Sequence, residues 1–282
     1  GFREEDTRFY PQRELAAHVL GGINYEGRGI AGVEASYNTQ LAKGEDVRLT
    51  VDMRVQQALH TSLMEAVVES KAKAAWGVVL NPENNNVLAM ASLPDFDPNH
   101  YGSAHRTQWR NRAVQGGYEM GSTFKLFTAA QAMEEMGVGP EQKFDCTHPV
   151  SIGKFTIRDP YPKGRPLSVE EIVQYSSNIG AARMADTFED GTQQAFFDKL
   201  HLLEKVNMGL NEMSAPLTPE RWKRIQTMTM AFGHGIAVSP VNMASAVSSL
   251  IYDGNWRQPH LVADAKRPEP QRVVSRKTVL AM

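Results

Sequence analysis

The sequence has one cysteine, almost no net charge and no long apolar run, and each scarcity excludes a class of protein. The single cysteine, Cys146, excludes an internal disulfide and a multi-cysteine metal site. The net charge of −2 gives no reason to expect nucleic acid or anionic lipid as a partner. No segment approaches the roughly 18 apolar residues that span a bilayer, and no signal-peptide pattern opens the chain. What remains is a globular protein of 282 residues.

The two ends of the sequence indicate a fragment. The chain opens at Gly1 without a methionine, and it stops at Met282 inside a predicted helix that begins near Ser275. We therefore expect any anchor or further motif to lie outside these residues, and at least one more strand to follow the last residue.

A serine and a lysine one helical turn apart follow Gly121. Apolar residues continue at three- and four-residue spacing behind them, at Phe127, Ala130, Met133 and Met136. This pattern predicts a helix from about Ser122 to Met136, with Ser122 and Lys125 stacked in its first turn. Free backbone N–H groups and the positive end of the helix dipole lie there. A nucleophile at that place has a base and an oxyanion donor in reach, so we hypothesise that Ser122 receives an acyl substrate.

A second polar element, Ser176 and Asn178, falls at the junction of two predicted helices. A serine hydroxyl needs a base, and Lys125 can act as one only if its pKa falls far below about 10.4. Ser176 would relay a proton between Lys125 and a leaving nitrogen. The Asn178 amide would bind either Lys125 or a substrate carbonyl.

Each of these motifs is weak alone, because short patterns recur by chance. Ser151 and Lys154 have the same spacing, but Gly153 lies between them and the flanking residues alternate as in a strand. Ser36-Tyr37-Asn38 repeats the second pattern. The alternative interpretations are a solvated helix face for Ser122 and Lys125, and a cap and turn for Ser176 and Asn178.

The order of the predicted elements favours an α+β fold, an antiparallel sheet with helices packed on it. The predicted elements are a strand over Val47–Val51, a helix capped by Asp52, a hairpin of Ala75–Leu80 and Val87–Ala91 buried on both faces, a small hairpin over Val150–Ile157, a capping box at Ser168–Glu171, a helix over Ile179–Phe188, and helices begun at Thr218-Pro219 and Ser239-Pro240.

The remaining chemistry-bearing residues suggest no further site. Five histidines show no metal-ligand spacing, which favours ordinary surface or packed positions: His100, His105, His201, His234 and His260. Cys146 lacks a helix N-terminus or a basic neighbour, so we expect a buried structural thiol rather than a nucleophile.

Stretches along nearly the whole chain match the motifs of one protein family. They are Arg8-Phe9-Tyr10-Pro11, Gly32-Val33-Glu34, Leu49-Thr50-Val51-Asp52, Val87-Leu88-Ala89-Met90-Ala91-Ser92, Phe96-Asp97-Pro98-Asn99, Asn111-Arg112-Ala113-Val114, Gly121-Ser122-Thr123-Phe124-Lys125, Ser176-Ser177-Asn178-Ile179-Gly180, and Phe232-Gly233-His234-Gly235 leading to Ser239-Pro240. By these stretches the sequence resembles the class B penicillin-binding proteins, the membrane-anchored transpeptidases that cross-link peptidoglycan, and most of all their division-specific, septal type.

The resemblance implies a fold, a site and a division of the chain. The fold is that of the penicillin-binding proteins and serine β-lactamases. Residues 1–48 would be the end of an N-terminal pedestal, and 49–282 a transpeptidase domain without its C-terminal end. Ser122 would be the acylated nucleophile, Lys125 its base, and Ser176 with Asn178 the second element of the site. No cofactor is implied.

The resemblance also implies partners and a location. The substrate would be a peptidoglycan stem peptide ending in D-alanyl-D-alanine, and β-lactams would acylate the same serine. A membrane glycosyltransferase and other division proteins would be partners. The catalytic domain would lie in the periplasm of a bacterium, held to the inner membrane by an anchor outside these residues.

The sequence departs from the family pattern at several points. Met120 stands where the family has proline, and the segments near Leu41–Gly44 and Leu202–Pro219 are short, which omitted loops would explain. The family's third motif, Lys-Thr/Ser-Gly, is expected after Met282, since Lys277-Thr278-Val279 does not match it. The alternatives are an elongation-specific transpeptidase, a serine β-lactamase or β-lactam sensor, and a catalytically silent cell-wall scaffold.

Overall fold

A computed structural model describes residues 8–282, so the predicted fragment start at Gly1 lies outside the described residues. The α-helices are α1 (Ala17–Leu20), α2 (Gly32–Ser36), α3 (Asn38–Leu41), α4 (Met53–Ser70), α5 (Arg106–Trp109), α6 (Arg112–Gln115), α7 (Lys125–Glu135), α8 (Val169–Gln174), α9 (Asn178–Ala185), α10 (Thr192–Lys199), α11 (Arg224–Met230), α12 (Pro240–Ile251) and α13 (Arg276–Ala281). The strands are β1 (Gly22–Ile23), β2 (Gly29–Ala31), β3 (Ala75–Leu80), β4 (Val87–Leu93), β5 (Lys143–Phe144), β6 (Val150–Ile152), β7 (Phe155–Ile157), β8 (Leu167–Ser168), β9 (Asn255–Trp256) and β10 (Gln271–Arg272). Within residues 8–282 there are also three 3₁₀ helices, at Arg13–Ala16, Pro98–Ser103 and Gly121–Phe124.

The longest strands form the predicted hairpin. β3 and β4 pair antiparallel, from Ala75 opposite Leu93 to Leu80 opposite Val87. The prediction that both faces are buried is right for β4 but wrong for β3, whose residues are all half-buried. Within residues 8–282, β3 has only β4 as a strand neighbour, so its other edge has no strand to cover it.

The segment before α4 is extended but is not the regular strand predicted over Val47–Val51. Leu49 makes only an isolated antiparallel bridge with Val262. Two backbone hydrogen bonds flank this bridge, from the Thr50 N–H to the Leu261 carbonyl and from the Ala263 N–H to the Arg48 carbonyl. The Thr50 hydroxyl also donates to the Val87 carbonyl at 2.9 Å, which ties the segment to the start of β4. Asp52 then accepts a hydrogen bond from the Arg54 backbone N–H and caps α4, as predicted.

Helix α7 lies between two apolar cores. Its Phe127 belongs to one, with Phe124 and Phe197, whose rings meet edge to face. Its Ala129 and Ala132 belong to the other, which α8 and α9 share through Ile172, Ile179 and Met184. Fully burying a large apolar side chain such as Phe127 or Ile172 contributes about 1.5–3 kcal/mol, so the two cores together hold α7 in place. The residue at its start, Lys125, has a correspondingly fixed position.

The junction of α8 and α9 forms as the sequence predicts. Ser168 and Glu171 make the capping box of α8, and Ser177 caps α9 by accepting from the Gly180 N–H. Gly180 permits the two helices to approach closely, because a Cβ there would lie 2.4 Å from Ile172 Cγ1. Ser176 is left between the helices.

The helix predicted to begin at Thr218-Pro219 is wrong, because α11 begins only at Arg224. Leu217 exchanges two backbone hydrogen bonds with Ala237, which holds the approach to Thr218 extended. The Trp222 indole N–H donates to Gln193 Oε1 at 3.1 Å and fixes the segment that follows. Tertiary hydrogen bonds therefore outweigh the local capping signal.

Other local predictions are confirmed. The small hairpin forms as β6 and β7, α12 begins after Ser239 with Pro240 in its first turn, Ser275 caps α13, and Cys146 is buried. In residues 8–282 no helix combines the length and the hydropathy that crossing a bilayer requires.

Candidate active site

Ser122 lies on the surface directly above the buried Lys125. The predicted helix starts at the expected place, but its first turn is the 3₁₀ segment Gly121–Phe124, which continues into α7. Gly121 enters this turn at a φ of +57°, a conformation that glycine adopts without strain. Ser122 is exposed, whereas Lys125 is only 1% exposed.

The structure brings all four sequence-predicted site residues together around one nitrogen. Lys125 Nζ lies 2.9 Å from Ser122 Oγ, 2.9 Å from Ser176 Oγ and 2.8 Å from Asn178 Oδ1. A fourth contact, at 2.9 Å, is to the Ser176 backbone carbonyl. The two hydroxyls also meet each other, with Ser176 Oγ 2.8 Å from Ser122 Oγ.

The four groups around Lys125 Nζ suit a neutral amine, which has two N–H groups and one lone pair. The Ser176 carbonyl and Asn178 Oδ1 can only accept hydrogen bonds, so they take both N–H groups of a neutral amine. The amine lone pair then faces the two hydroxyls, each of which can donate. Lys125 is thereby oriented to receive the Ser122 proton, either directly or through Ser176.

The surroundings of Lys125 favour its neutral form. Burial lowers the pKa of Lys125 from 10.5 to about 8, while the negative charge of Asp159 opposes this shift. Near neutral pH an appreciable fraction of Lys125 is then unprotonated. The pKa of Lys125 therefore lies well below the ordinary lysine value, as a lysine that acts as a base requires.

Ser176 reaches Lys125 through an unusual backbone conformation. Its φ is +56°, in the left-handed region that residues other than glycine seldom adopt. This conformation, between the last turn of α8 and the start of α9, presents both the carbonyl and the hydroxyl of Ser176 to the same nitrogen. Strain of this kind typically costs about 1–3 kcal/mol and persists where the surrounding structure enforces it.

Two residues that the sequence reasoning missed hold Asn178 in place. The Arg158 carbonyl accepts from Asn178 Nδ2 at 3.2 Å. The next residue, Asp159, accepts from the Ser177 hydroxyl at 2.7 Å and from the Ile179 N–H at 2.9 Å. Neither residue stands at a motif spacing, so only the path of the loop after β7 reveals them.

A glycine-rich turn packs against the segment that carries Ser122. Glu119 Oε1 accepts from the Gly235 N–H at 2.8 Å, and Glu119 Oε2 lies 3.2 Å from His234 Nδ1. A Cβ added to Gly233 would lie 2.2 Å from the Gly121 carbonyl oxygen. Both stretches belong to the resemblance, but only the structure shows that one positions the other.

Gly233→Ala is therefore expected to slow the acylation of Ser122 that the family resemblance implies by about tenfold or more, because the added methyl group displaces the Gly121–Ser122 turn. The measurement is the rate of covalent labelling by a fluorescent penicillin. Gly235→Ala is the matched control. It has a similar backbone cost at a φ of +88°, but its nearest neighbour, Thr229 Oγ1, would be 3.9 Å away. Equal rates for the two variants would refute the packing argument.

The two sequence patterns that repeat the site motifs, Ser151 with Lys154 and Ser36-Tyr37-Asn38, lie in other parts of the fold. Ser151 lies on β6, where its Oγ contacts Thr156 Oγ1, and Lys154 lies in the β6–β7 turn over the Phe155 ring. Asn38 Oδ1 accepts from the Gly29 N–H.

Burial raises the pKa of the Cys146 thiol, consistent with a packed rather than a reactive cysteine. In the described part of the chain, no three His, Cys, Asp or Glu side chains are placed to hold a metal ion.

Comparisons with known proteins place this geometry in a family. Residues 75–282 match the family model of the penicillin binding protein transpeptidase domain. The chain is 35% identical to the probable peptidoglycan D,D-transpeptidase FtsI of Caulobacter vibrioides, over all of this chain and 49% of the relative. It is 30% identical to the probable peptidoglycan D,D-transpeptidase PenA of Neisseria meningitidis, over 98% of this chain and 53% of the relative.

A solved structure shares the fold along nearly the whole chain. Penicillin binding protein 3 of Mycobacterium tuberculosis, in complex with ampicillin, matches with a TM-score of 0.92 and 26% identity, over 98% of this chain and 67% of that chain. The predicted α+β fold of the penicillin-binding proteins is thereby confirmed. The chain spans about half the length of the curated relatives it matches. With a family model that covers most of its residues, the chain belongs to the penicillin-binding protein transpeptidase family.

Proposed function

We propose that the protein is a peptidoglycan D,D-transpeptidase that works through an acyl-enzyme on Ser122. The observation that carries the proposal is the exposed Ser122 Oγ lying 2.9 Å from the nitrogen of a buried lysine. The names of the relatives, which are probable peptidoglycan D,D-transpeptidases, support the substrate class.

In the acylation step, Ser122 Oγ attacks the carbonyl carbon between the two D-alanines while its proton moves to neutral Lys125. The carbon–nitrogen bond then breaks. Lys125 returns the proton through the Ser176 hydroxyl to the leaving nitrogen, and free D-alanine departs. Lys125 is neutral again when the ester on Ser122 is complete.

In the second step, an amine of a neighbouring stem peptide attacks the ester carbonyl and forms the cross-link. The amine loses a proton to Lys125, and Ser122 Oγ leaves with the proton that Lys125 gives back. The contacts of Lys125 and Ser176 with Ser122 serve both steps in opposite directions.

β-Lactams are expected to acylate the same serine, Ser122, and to remain bound to it as an ester. Attack by Ser122 opens the ring, but the nitrogen that is released stays attached to the acyl group. The incoming amine is therefore kept out and the ester persists. The relative from Mycobacterium tuberculosis, solved with ampicillin, supports this part of the proposal.

The wider role follows the named relatives. We assign the activity to septal cell-wall synthesis, since a relative over the full chain is a probable FtsI transpeptidase. The proposed location is the periplasmic side of the bacterial inner membrane, with a membrane glycosyltransferase and other division proteins as partners. Residues 49–282 would form the transpeptidase domain and 1–48 the end of a pedestal.

The proposal is tested by incubating the full-length protein, with the residues expected after Met282, with a fluorescent penicillin and following the label for hours, with ampicillin pre-treatment as the competition control. Stable label on the peptide that contains Ser122, located by mass spectrometry, is the expected result. A D-alanyl-D-alanine peptide mixed with an amine acceptor should then yield free D-alanine and a new amide. Label lost within minutes would indicate a β-lactamase instead, and an unlabelled protein would favour a silent scaffold.

The rate of acylation is expected to rise with pH through about 8, because Lys125 must be unprotonated to act. With that pKa, about one tenth of Lys125 is neutral at pH 7 and about nine tenths at pH 9. Labelling rates measured from about pH 6 to pH 10 should increase and then level off. A rate that is flat or falls over this range would exclude Lys125 as the base.

A further inference from the structure

Asp159 occupies a position behind the site that the mechanism above does not use. It lies in the loop between β7 and β8, and its side chain is half-buried. Both carboxylate oxygens are engaged, Oδ1 by the Ile179 N–H and Oδ2 by the Ser177 hydroxyl. These two donors stand on either side of Asn178 in the chain.

Arg158 and Asp159 together hold three consecutive residues, Ser177, Asn178 and Ile179. The Arg158 contact fixes which way the Asn178 amide faces, because a carbonyl can only accept and so selects Nδ2. Oδ1 is then turned toward Lys125, where it lies 2.8 Å from Nζ. The two loop residues thus determine the direction of a hydrogen bond to the proposed base.

The negative charge of Asp159 also acts on Lys125. Within residues 8–282 its carboxylate forms no salt bridge, so its negative charge is not neutralised by a neighbouring cation. It is the one charged side chain of the described residues that shifts the pKa of Lys125, and it raises it against the effect of burial. Charged groups on the neighbouring elements act elsewhere: Glu171 of α8 pairs with Arg165, and Arg183 of α9 acts on Asp145 and Asp186.

We propose that Asp159 is a positioning residue for the acyl transfer, which fixes Asn178 against Lys125 and places a negative charge behind the proposed base. The inference rests on the proposed function, because it needs Lys125 to be the base. Asp159 itself touches neither substrate nor Ser122 in this scheme. Its role is a compromise, since the same carboxylate that orders the site also favours the charged lysine.

Asp159→Asn removes the negative charge of the side chain and nearly preserves its size and shape. The amide can keep both contacts, accepting from the Ile179 N–H with its oxygen and donating to the Ser177 hydroxyl with its nitrogen. Loss of the negative charge lowers the pKa of Lys125 further. The midpoint of the acylation rate against pH is therefore expected to move to lower pH by roughly half a unit or more.

Asp159→Ala removes the contacts as well as the charge. We expect a loss of about tenfold or more in the labelling rate at every pH, because Ser177 and Ile179 are no longer held and Asn178 shifts. Glu170→Gln on the exposed side of α8 is the matched control, with the same change in net charge and an expected midpoint equal to that of the unmodified protein.

The readout is the rate of labelling by fluorescent penicillin from about pH 5.5 to pH 9.5, with thermal unfolding of each variant recorded in parallel. A downward shift of the midpoint in Asp159→Asn but not in Glu170→Gln supports the proposal. An unshifted midpoint in Asp159→Asn, whatever its rate, overturns it and leaves Asp159 a purely structural residue. Absence of labelling in the unmodified protein would instead reject the proposed function, so the two failures are distinguishable.

Discussion

Ser122→Ala is expected to abolish covalent labelling by penicillin and the release of D-alanine from a D-alanyl-D-alanine peptide. The Ser122 oxygen is the atom that forms the ester, and alanine offers no replacement. Ser176 is the nearest other hydroxyl, at 2.8 Å, but its proposed task is proton relay, not attack. The measurement is label incorporation over hours against the unmodified protein.

The fold should survive this change. Ser122 is exposed, and a surface substitution of this kind usually alters the free energy of unfolding by no more than about 0.5 kcal/mol. Ser151→Ala is the matched control, since Ser151 has the same spacing to a lysine but lies on the β6–β7 hairpin. It should label at the normal rate. Persistent labelling of Ser122→Ala would mean that another residue is the nucleophile.

Lys125→Met is expected to slow acylation by about a hundred- to ten-thousand-fold, the usual worth of a positioned general base. Methionine keeps the length of the side chain and its burial, but it cannot accept the Ser122 proton. It also leaves Asn178 Oδ1 and the Ser176 carbonyl without the donor that both now use. The rise in rate through about pH 8 should disappear along with the base.

Lys154→Met provides the corresponding control. Lys154 is exposed and lies over the Phe155 ring, so its loss removes the same charge without touching the site. Stopped-flow labelling of both variants at several pH values gives the comparison. A Lys125→Met variant that acylates at the rate of Lys154→Met would assign the base to another group.

Much of the local structure followed from the sequence, because its causes are local. Asp52, Ser168 and Ser239 each cap a helix through a bond to a backbone N–H two or three residues ahead, so neighbours in the chain suffice to predict it. Thr218 carries a similar signal and fails, because Leu217 is held by Ala237. Capping signals predict helices only where no distant backbone competes.

The sequence by itself determined the family, the fold class and the four candidate residues Ser122, Lys125, Ser176 and Asn178. It could do so because their identity and order are properties of the chain. It could not determine that they converge on one nitrogen, or that burial brings the pKa of Lys125 to about 8. Those facts depend on α7 being held between two cores with α9 against it. The contacts of Asp159 with α9 and of Gly233 with Gly121 also could not be predicted from the sequence. Contacts between distant segments, and the burial that shifts a pKa, arise only when the chain folds.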